Sequence, residues 1–371
     1  MKALILSCNT GQGHNTAGRA VLEELHGRGI AAEMHDALAF GGKKTSAVVS
    51  GGYVKITQQN PRLFGGLYRA GTLISNPRLK SPVYYANALY AAKLENFIVQ
   101  NGFDTILSPH LFPAEALTFL RKKRGLRVKS YGIATDYTCS PFWEETDVDI
   151  FFIPHRSLRA EYEGKGFAPS RLVETGIPVS KAFREKKPMR EARDLLKLPQ
   201  ELPLYLVMSG SMGFGDVPDI VAHLLSLGGE RLRVLVLTGH NDRLTERLGA
   251  RFGVDSRVMP VGYTKKVALY MDACNVTLTK PGGLTSTEAA VKNIPFVHTA
   301  PIPGCETINA QFLGGLGVSI PTGTPLESAR AAVLLNTDAS LRERQLDSQR
   351  VQINARAAQD IVDYLIMNAD D

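Results

Sequence analysis

The feature that most constrains the fold is a repeated unit made of a short apolar run, a glycine-rich turn and a helical pattern. The chain opens with one such unit, in which the run 3–6 precedes the turn, and Val21 and Leu25 follow at helical spacing. Further strands are predicted near residues 31–35, 104–107, 128–133, 150–153 and 172–174. Strands that alternate with helices indicate a parallel sheet covered by helices on both faces.

A second series of the same kind follows a polar linker at residues 183–188. Its strands are predicted near residues 204–208, 234–237, 257–260, 276–278 and 296–298. The 371 residues also exceed what one hydrophobic core usually fills. We therefore predict an α/β fold of two doubly wound Rossmann-like domains facing a cleft, at residues 1–182 and 183–371. The last helix of the chain could pack back on the N-terminal domain.

Cysteine usage and hydropathy indicate where in the cell the protein is expected. The four cysteines are widely spaced and form no CxxC pair, which argues against a zinc site or a disulfide framework. The N-terminus lacks the longer apolar region of a signal peptide, and no apolar run approaches the roughly 18 residues that span a bilayer. We expect a cytoplasmic protein that is peripheral on the inner face of the cell membrane.

Positive charge is concentrated in one segment that interrupts the alternation of strands and helices. Residues 41–100 contain eight Lys or Arg and a single Glu, interleaved with aromatic residues. A basic, amphipathic insertion suits an anionic membrane surface, whereas a solvated helical face packed through its aromatics is the alternative. The residues assigned here to membrane or acceptor contact are Lys43, Lys44, Lys55, Arg62 and Arg69, and no nucleic-acid partner is expected.

Glycine-rich turns after strands are candidate ligand sites, because ligands of open α/β sheets bind beyond the carboxyl ends of the strands. The first turn, residues 9–17, superficially suggests a dinucleotide fingerprint with Asp36 as its ribose-binding acid, but Thr16 occupies the third glycine position. His14 in this turn is a candidate proton acceptor near pH 7. The alternative is a histidine that is merely hydrogen-bonded at the helix start.

Two more turns lie in the second series. Small residues in the turn 207–215 let backbone N–H groups approach an anion, although a flexible turn is equally consistent. In the turn 279–289, glycines and hydroxyls offer a diphosphate cradle, and Glu288 can accept hydrogen bonds from both ribose hydroxyls. Glu306 and Asn309, one helical turn apart, could hold sugar hydroxyls. The other donor-binding residues inferred from these turns are Ser209, Ser211, Gly213, Gly282, Gly283, Thr285 and Ser286.

Together these motifs resemble glycosyltransferase family 28. The resemblance rests on Gly-Gln-Gly-His at residues 11–14, Thr135-Asp136 after a strand, Pro-Gly-Gly at 281–283 with Glu288, and Pro-Gly-Cys-Glu at 303–306 followed by Asn309. To about residue 320, the chain looks most like the monogalactosyldiacylglycerol synthases and the bacterial processive diacylglycerol glucosyltransferases. One departure is Cys305, which stands where many relatives have Gln and leaves the sugar undetermined.

The resemblance implies a GT-B fold, a UDP-sugar donor held mainly by the C-terminal domain, an acceptor held by the N-terminal domain, and inversion at the anomeric carbon. It implies that His14 is the candidate base, Glu288 the ribose-binding residue and Tyr263 a neighbour of the uracil. Asp136 either orients His14 or accepts the proton itself. Gly13 is added to the donor-binding residues, and Trp143 either borders the acceptor channel or packs in the core.

No metal or other cofactor is expected. Asp147-Val148-Asp149 superficially matches the DxD pair of another glycosyltransferase class, but here it precedes an apolar strand instead of following one. Helix ends and backbone N–H groups can stabilise a leaving UDP without a metal.

These observations predict an inverting glycosyltransferase that moves a hexose from a UDP-sugar to a membrane lipid, with diacylglycerol as the expected acceptor. Alternatives are a transferase that uses UDP-N-acetylglucosamine on a polyprenyl-linked cell-wall precursor, and a UDP-sugar epimerase of the same fold. The basic insertion argues against the epimerase, His14 against a noncatalytic nucleotide-binding protein, and Thr16 against a dehydrogenase.

Overall fold

The structure, a computed structural model, describes residues 1–9, 11–42, 61–75, 80–208 and 216–369, and the side chains of residues 61–64 and 67 are left aside. The chain forms two compact units. The first contains Met1–Lys181, Pro303–Cys305 and Asn354–Asp371, and the second contains Ala182–Ile302 and Glu306–Ile353. Each unit is built around one parallel sheet, as the alternation of strands and helices predicted.

Six parallel strands form the sheet of the first unit. They are β1 (Ala3–Ser7), β2 (Ala32–Asp36), β3 (Thr105–Ser108), β4 (Lys129–Ile133), β5 (Ile150–Ile153) and β6 (Leu172–Glu174). Their order across the sheet is β2-β1-β3-β4-β5-β6. The direction in which strands are added therefore reverses between β1 and β3, and such a reversal opens a crevice at the carboxyl ends of the two strands.

The sheet of the second unit is also parallel and six-stranded. Its strands are β7 (Leu204–Met208), β8 (Arg233–Gly239), β9 (Val258–Gly262), β10 (Val276–Thr279), β11 (Phe296–His298) and β12 (Ile320–Pro321). The order is β12-β11-β10-β7-β8-β9, so the reversal falls between β7 and β10. The sequence did not predict β12, because a strand of two residues that includes a proline gives no periodic pattern.

The helices pack against these sheets and connect the strands. In chain order they are α1 (Gln12–Gly27), α2 (Pro61–Ile74), α3 (Pro82–Asn101), α4 (Leu111–Arg124), α5 (Arg159–Gly164), α6 (Lys181–Arg184), α7 (Met189–Leu196), α8 (Val217–Gly228), α9 (Asp242–Phe252), α10 (Val267–Ala273), α11 (Gly283–Val291), α12 (Cys305–Gly315), α13 (Pro325–Thr337), α14 (Ala339–Gln352) and α15 (Ala357–Met367). Short 3-10 turns occur at Ala37–Gly41, Trp143–Glu145, Arg156–Leu158 and Pro169–Arg171.

Strand β1 is buried on both sides of the first sheet. Side chains alternate along a strand, so Ala3 and Ile5 pack with α1 and α15, while Leu4 and Leu6 pack with α3 and α4. The opposing side chains are Val21, Leu25, Ile361, Val362 and Leu365 on one face, and Leu94, Ile98, Leu117 and Leu120 on the other. This double burial explains why the strand is apolar from Ala3 to Leu6.

The described part of the insertion between β2 and β3 contains helices α2 and α3. Ser81 caps α3 by accepting the N–H of Tyr84, Pro82 follows at the first helical position, and Gly102 ends the helix with a φ of 66°. The carboxylate of Glu145 accepts the backbone N–H of Ser81 at 2.7 Å. The start of α3 is therefore fastened to the 3-10 turn that precedes β5.

Candidate active site

His14 lies at the point where the strand order of the first sheet reverses. It is in the first turn of α1, which follows β1. The imidazole Nδ1 lies 3.0 Å from the carbonyl oxygen of Pro109, in the turn after β3, and 2.8 Å from the hydroxyl of Thr135, after β4. The side chain therefore joins turns that follow three neighbouring strands.

These contacts determine which imidazole nitrogen carries the proton. A carbonyl oxygen only accepts hydrogen bonds, so Nδ1 of His14 carries the hydrogen and donates it to Pro109. The hydroxyl of Thr135 accepts from the same N–H in a bifurcated arrangement. The neutral ring consequently keeps its lone pair on Nε2, and this is the form that can accept a proton from a substrate.

Burial lowers the pKa of His14, although the charge of Asp136 and the hydrogen bond to Pro109 act in the opposite direction. The ring of His110 lies edge-to-face with that of His14 at a centroid distance of 4.6 Å. Nδ1 of His110 accepts the N–H of Phe112 and caps α4. Burial, with a contribution from His14, places the pKa of His110 well below its ordinary value. Both rings are therefore neutral near pH 7.

The other predicted site residues of the first unit differ in how far they are exposed to solvent. Asp136 directly follows Thr135 and is partly exposed, and its charge acts on His14. Gly13, in the first turn of α1, is also partly exposed. Trp143 is 8% exposed and packs edge-to-face on Phe151, with ring centroids 4.7 Å apart. This contact supports the packing interpretation of Trp143.

The contacts of Asp36 do not favour the dinucleotide interpretation of the first turn. Its carboxylate accepts a hydrogen bond from the side chain of Asn9 at 2.8 Å and one from the backbone N–H of Leu38 at 3.1 Å. Asn9 in turn accepts a hydrogen bond from the side chain of Asn15 at 2.7 Å. Asp36 thus stabilises the turn before α1 instead of facing a ribose.

In the second unit, the turn after β10 leads directly into α11, with Gly282 as its N-cap. The N–H of Ser286 donates to the carbonyl of Gly282 at 3.0 Å, and the N–H groups of residues 283–285, which precede it, have no acceptor within the helix. A methyl group added to Gly282 would meet no atom within 4 Å, and its φ of −71° suits any residue. Backbone donors and open space therefore lie in the same turn, and an anion site requires both.

The two predicted hydroxyls of this turn differ in their surroundings. Thr285 is partly exposed, whereas Ser286 is fully buried with its hydroxyl 2.8 Å from Nε2 of His298. Nδ1 of His298 lies 2.9 Å from the hydroxyl of Ser319, and burial lowers the pKa of His298 to about 3. A neutral His298 thus anchors α11 to the sheet through Ser286, and Thr285 is the hydroxyl that a ligand can reach.

Glu288 lies on α11 and is 7% exposed. Burial raises the pKa of its carboxyl to about 8. The carboxyl is therefore protonated at neutral pH without a ligand. Hydroxyl groups that donate to the ionised carboxylate would favour the ionised form, because hydrogen bonds to a charged form stabilise it.

Glu306 and Asn309, on α12, both brace the turn after β10. Glu306 forms an ion pair with Lys280 and also accepts the backbone N–H of Ile302 at 3.0 Å. The buried side chain of Asn309 donates to the carbonyl of Pro281 at 3.0 Å. The first turns of α12 are thereby tied to the segment that carries the backbone donors.

Tyr263 follows β9 and is 61% exposed. Its ring stacks on that of His240, an exposed residue after β8, with centroids 4.3 Å apart and an interplanar angle of 17°. Exposed aromatic rings at neighbouring strand ends offer a stacking surface for a planar base.

Sequence reasoning did not identify His110, His240 or Lys280. Each lies within three residues of the end of a predicted strand, and that position is the signal that could have identified them. Several predicted residues lie outside the described residues, namely Lys43, Lys44, Lys55, Ser209, Ser211 and Gly213. Arg62 lies in α2, where its side chain is not described, and Arg69 is exposed on the same helix.

Asp147 and Asp149 are engaged in ion pairs just before β5. Asp149 accepts a hydrogen bond from Arg121 at 2.7 Å, and Asp147 accepts one from Arg171 at 3.0 Å. Burial acts to raise the pKa of Asp149, but hydrogen bonds from Arg121 and Ser130 outweigh it and hold that pKa below its ordinary value. Among the residues that the structure describes, no group of three or more His, Cys, Asp or Glu could hold a metal ion.

Comparison with known proteins supports the motif analysis. A family model for monogalactosyldiacylglycerol (MGDG) synthase matches residues 14–179. The chain is 26% identical over 346 residues to a processive diacylglycerol beta-glucosyltransferase from Bacillus cytotoxicus, an alignment that covers 92% of this chain and 84% of that protein. The predicted resemblance to glycosyltransferase family 28 is confirmed.

Solved structures share the fold. Acinetobacter baumannii MurG has a TM-score of 0.63 at 14% sequence identity, with 99% of each chain covered. A putative UDP-N-acetylglucosamine 2-epimerase from Listeria monocytogenes has a TM-score of 0.65 at 13% identity, with 100% of this chain and 98% of that chain covered. The predicted GT-B fold class is confirmed. A search of the described helices finds none with the length and apolar character needed to cross a membrane.

Replacing Glu288 with Gln should remove a pH dependence from the stability of the second unit. The folded state keeps a proton on Glu288 up to about pH 8, whereas the unfolded chain loses it near the ordinary pKa of Glu, about 4.3. Between these values the unfolded state binds fewer protons, so the free energy of unfolding falls as the pH rises. By calorimetry, the Tm of the wild type should drop more than that of Glu288→Gln between about pH 5 and pH 8.

The exposed Glu246 of α9 offers a matched control. Glu246→Gln should keep the same pH dependence of the Tm as the wild type. If Glu288→Gln also kept the pH dependence of the wild-type Tm, the conclusion that Glu288 is a buried carboxyl that stays protonated in the folded state would be wrong.

Proposed function

We propose that this chain is an inverting glycosyltransferase that moves a hexose from a UDP-sugar to diacylglycerol at an anionic membrane surface. The observation that carries the proposal is the orientation of His14, whose Nδ1–H is held by Pro109 while Nε2 keeps the lone pair. The similarity to diacylglycerol glycosyltransferases supports the choice of donor and acceptor.

In the proposed reaction, the acceptor hydroxyl attacks the anomeric carbon of the sugar. Its proton moves to Nε2 of His14, and the bond between the anomeric carbon and the diphosphate breaks with its electron pair left on UDP. A single displacement of this kind inverts the configuration at that carbon. Asp136 stabilises the imidazolium that forms, because its charge raises the pKa of His14.

The second unit is proposed to hold the donor. The backbone N–H groups at the start of α11 would bind the diphosphate, and the positive end of that helix would stabilise the leaving group, so no metal is included. Glu288 would bind the ribose, and Tyr263 with His240 would border the uracil. The remaining donor contacts in this proposal are Gly282, Gly283, Thr285, Glu306 and Asn309.

Helix α3 presents apolar side chains on both faces, which supports a membrane contact. Leu94 faces the core, whereas Tyr85 and Leu89, one turn apart, are 62% and 88% exposed. On α2, Leu73 and Ile74 are 86% and 62% exposed. A helix that is hydrophobic all round normally lies buried in a protein or a membrane, and large exposed apolar groups mark interaction sites.

Positive charge accompanies these exposed apolar side chains. Arg69 on α2 and Lys93 on α3 are both exposed, and anionic lipids attract such residues. On these grounds we place α2 and α3 against the membrane, which puts the protein at the inner face of the cell membrane as a peripheral enzyme.

The function is tested by incubating the protein with labelled UDP-glucose or UDP-galactose and diacylglycerol vesicles, and identifying any glycolipid by mass spectrometry. His14→Ala should slow single-turnover transfer by about 10² to 10⁴, the range for loss of a general base, with unchanged affinity for UDP. A rate within about threefold of the wild type would exclude His14 as the base. Transfer only to a polyprenyl-linked acceptor, or only epimerised UDP-sugar, would refute the proposed function.

Asp136→Asn separates the two candidate bases. If His14 is the base, the variant stays active and the acid limb of its kcat/KM profile moves to lower pH, because the charge that raises the pKa of His14 is gone. The acid limb of the wild type should itself lie below about pH 6.5, the ordinary value for His, because burial lowers that pKa. Activity as low as that of His14→Ala at every pH would instead identify Asp136 as the base.

Leu89→Asp should weaken binding to anionic vesicles about tenfold or more, since burying a leucine side chain contributes about 1.5 to 3 kcal/mol. Binding is measured by co-sedimentation, with UDP affinity as a check that the variant is folded. Val254→Asp is the matched control, because Val254 is fully exposed in the second unit. Equal losses in both variants, or none in Leu89→Asp, would exclude α3 as the membrane contact.

A further inference from the structure

Lys280 and Glu306 form an ion pair beside the proposed diphosphate site. Lys280 directly follows β10, and its ammonium contacts one carboxylate oxygen of Glu306. The two side chains are only 17% and 9% exposed. Because so little water can solvate either ion, each depends on the other for compensation of its charge.

The position of this pair is set by the turn that precedes α11. Lys280 is two residues before Gly282, which is the N-cap of α11 and has open space beside it. The intervening Pro281 is held by the side chain of Asn309 at 3.0 Å. The ammonium is therefore the positive side chain of the turn in which we place the diphosphate.

We propose that Lys280 is a further catalytic residue, which exchanges Glu306 for the diphosphate when the donor binds. This inference rests on the proposed function and adds a residue to it. A UDP-sugar carries both partners that the exchange requires, since phosphate oxygens accept hydrogen bonds from an ammonium and sugar hydroxyls donate to a carboxylate. Neither Lys280 nor Glu306 is then left buried without a partner.

Lys280 acts on the leaving group. As the bond between the anomeric carbon and the diphosphate oxygen breaks, the electron pair stays on that oxygen and the negative charge of UDP increases. An ammonium held next to the diphosphate stabilises this developing charge more than the charge of the bound donor, which lowers the barrier. Lys280 takes no part in the proton transfer, because the proton of the acceptor goes to His14.

The test compares the dissociation constants of UDP and uridine, measured by calorimetry. Lys280→Met should weaken UDP binding about tenfold or more, the loss expected for a hydrogen bond between charged groups, and should leave uridine binding unchanged. Lys280→Arg keeps the charge and should bind UDP more tightly than Lys280→Met. Glu306→Gln should bind UDP at least as tightly as the wild type, because it releases the ammonium without removing it.

If the ion pair only holds the turn in place, a different pattern of dissociation constants is expected. Lys280→Met and Glu306→Gln would then weaken UDP binding alike, or Lys280→Met would weaken UDP and uridine by the same factor, and either result would overturn the proposal. Unchanged UDP affinity in Lys280→Met would overturn it as well. Uridine binding reports that each variant is folded. A wild-type protein that binds neither UDP nor uridine would refute the proposed function itself.

Discussion

Each sheet is parallel and reverses its strand order once, and this constraint determines where chemistry can occur in the molecule. In the first unit the reversal lies between β1 and β3, and the hydrogen bond from His14 to Pro109 spans the two strand ends. In the second unit it lies between β7 and β10, and the turn after β10 supplies the backbone donors and Lys280. On the two sides of a reversal, the connections after the strands run in opposite directions. The turns at the carboxyl ends of those strands therefore have room for a ligand.

Burial drives two central groups toward neutrality. It lowers the pKa of His14 and raises that of Glu288 to about 8, so neither carries its charge near pH 7 without a ligand. Lys280 and Glu306, also largely shielded from water, form an ion pair with each other. In the proposed function, the phosphate oxygens and hydroxyl groups of a UDP-sugar would supply hydrogen-bond partners for these groups.

The sequence predicted elements whose signal is local, and it did not predict pairings between distant residues. Strands such as β1 and β5 were recognisable because burial on both faces makes them predominantly apolar. His14 was found because it lies in the glycine-rich turn that follows such a strand. Its contact with Pro109 and the pairing of Lys280 with Glu306 join residues 95 and 26 positions apart, and no spacing rule reaches that far. The contact with Pro109 decides which nitrogen of His14 carries the proton, so this too could not be predicted without the folded structure.

The insertion shows how a segment outside the alternation of strands and helices is attached to the site. Its described residues form helices without a strand, so their position depends on side-chain contacts. The hydroxyl of Ser75, after α2, accepts the N–H of Phe142 at 2.7 Å, and Glu145 holds the start of α3. Phe142 has a φ of 72°, a conformation that non-glycine residues rarely adopt and that neighbouring contacts must hold. Both contacts reach the segment after β4, which also contains Thr135 and Asp136. The helices that we place at the membrane and the segment that positions His14 are therefore joined by hydrogen bonds, and the orientation of one constrains the other.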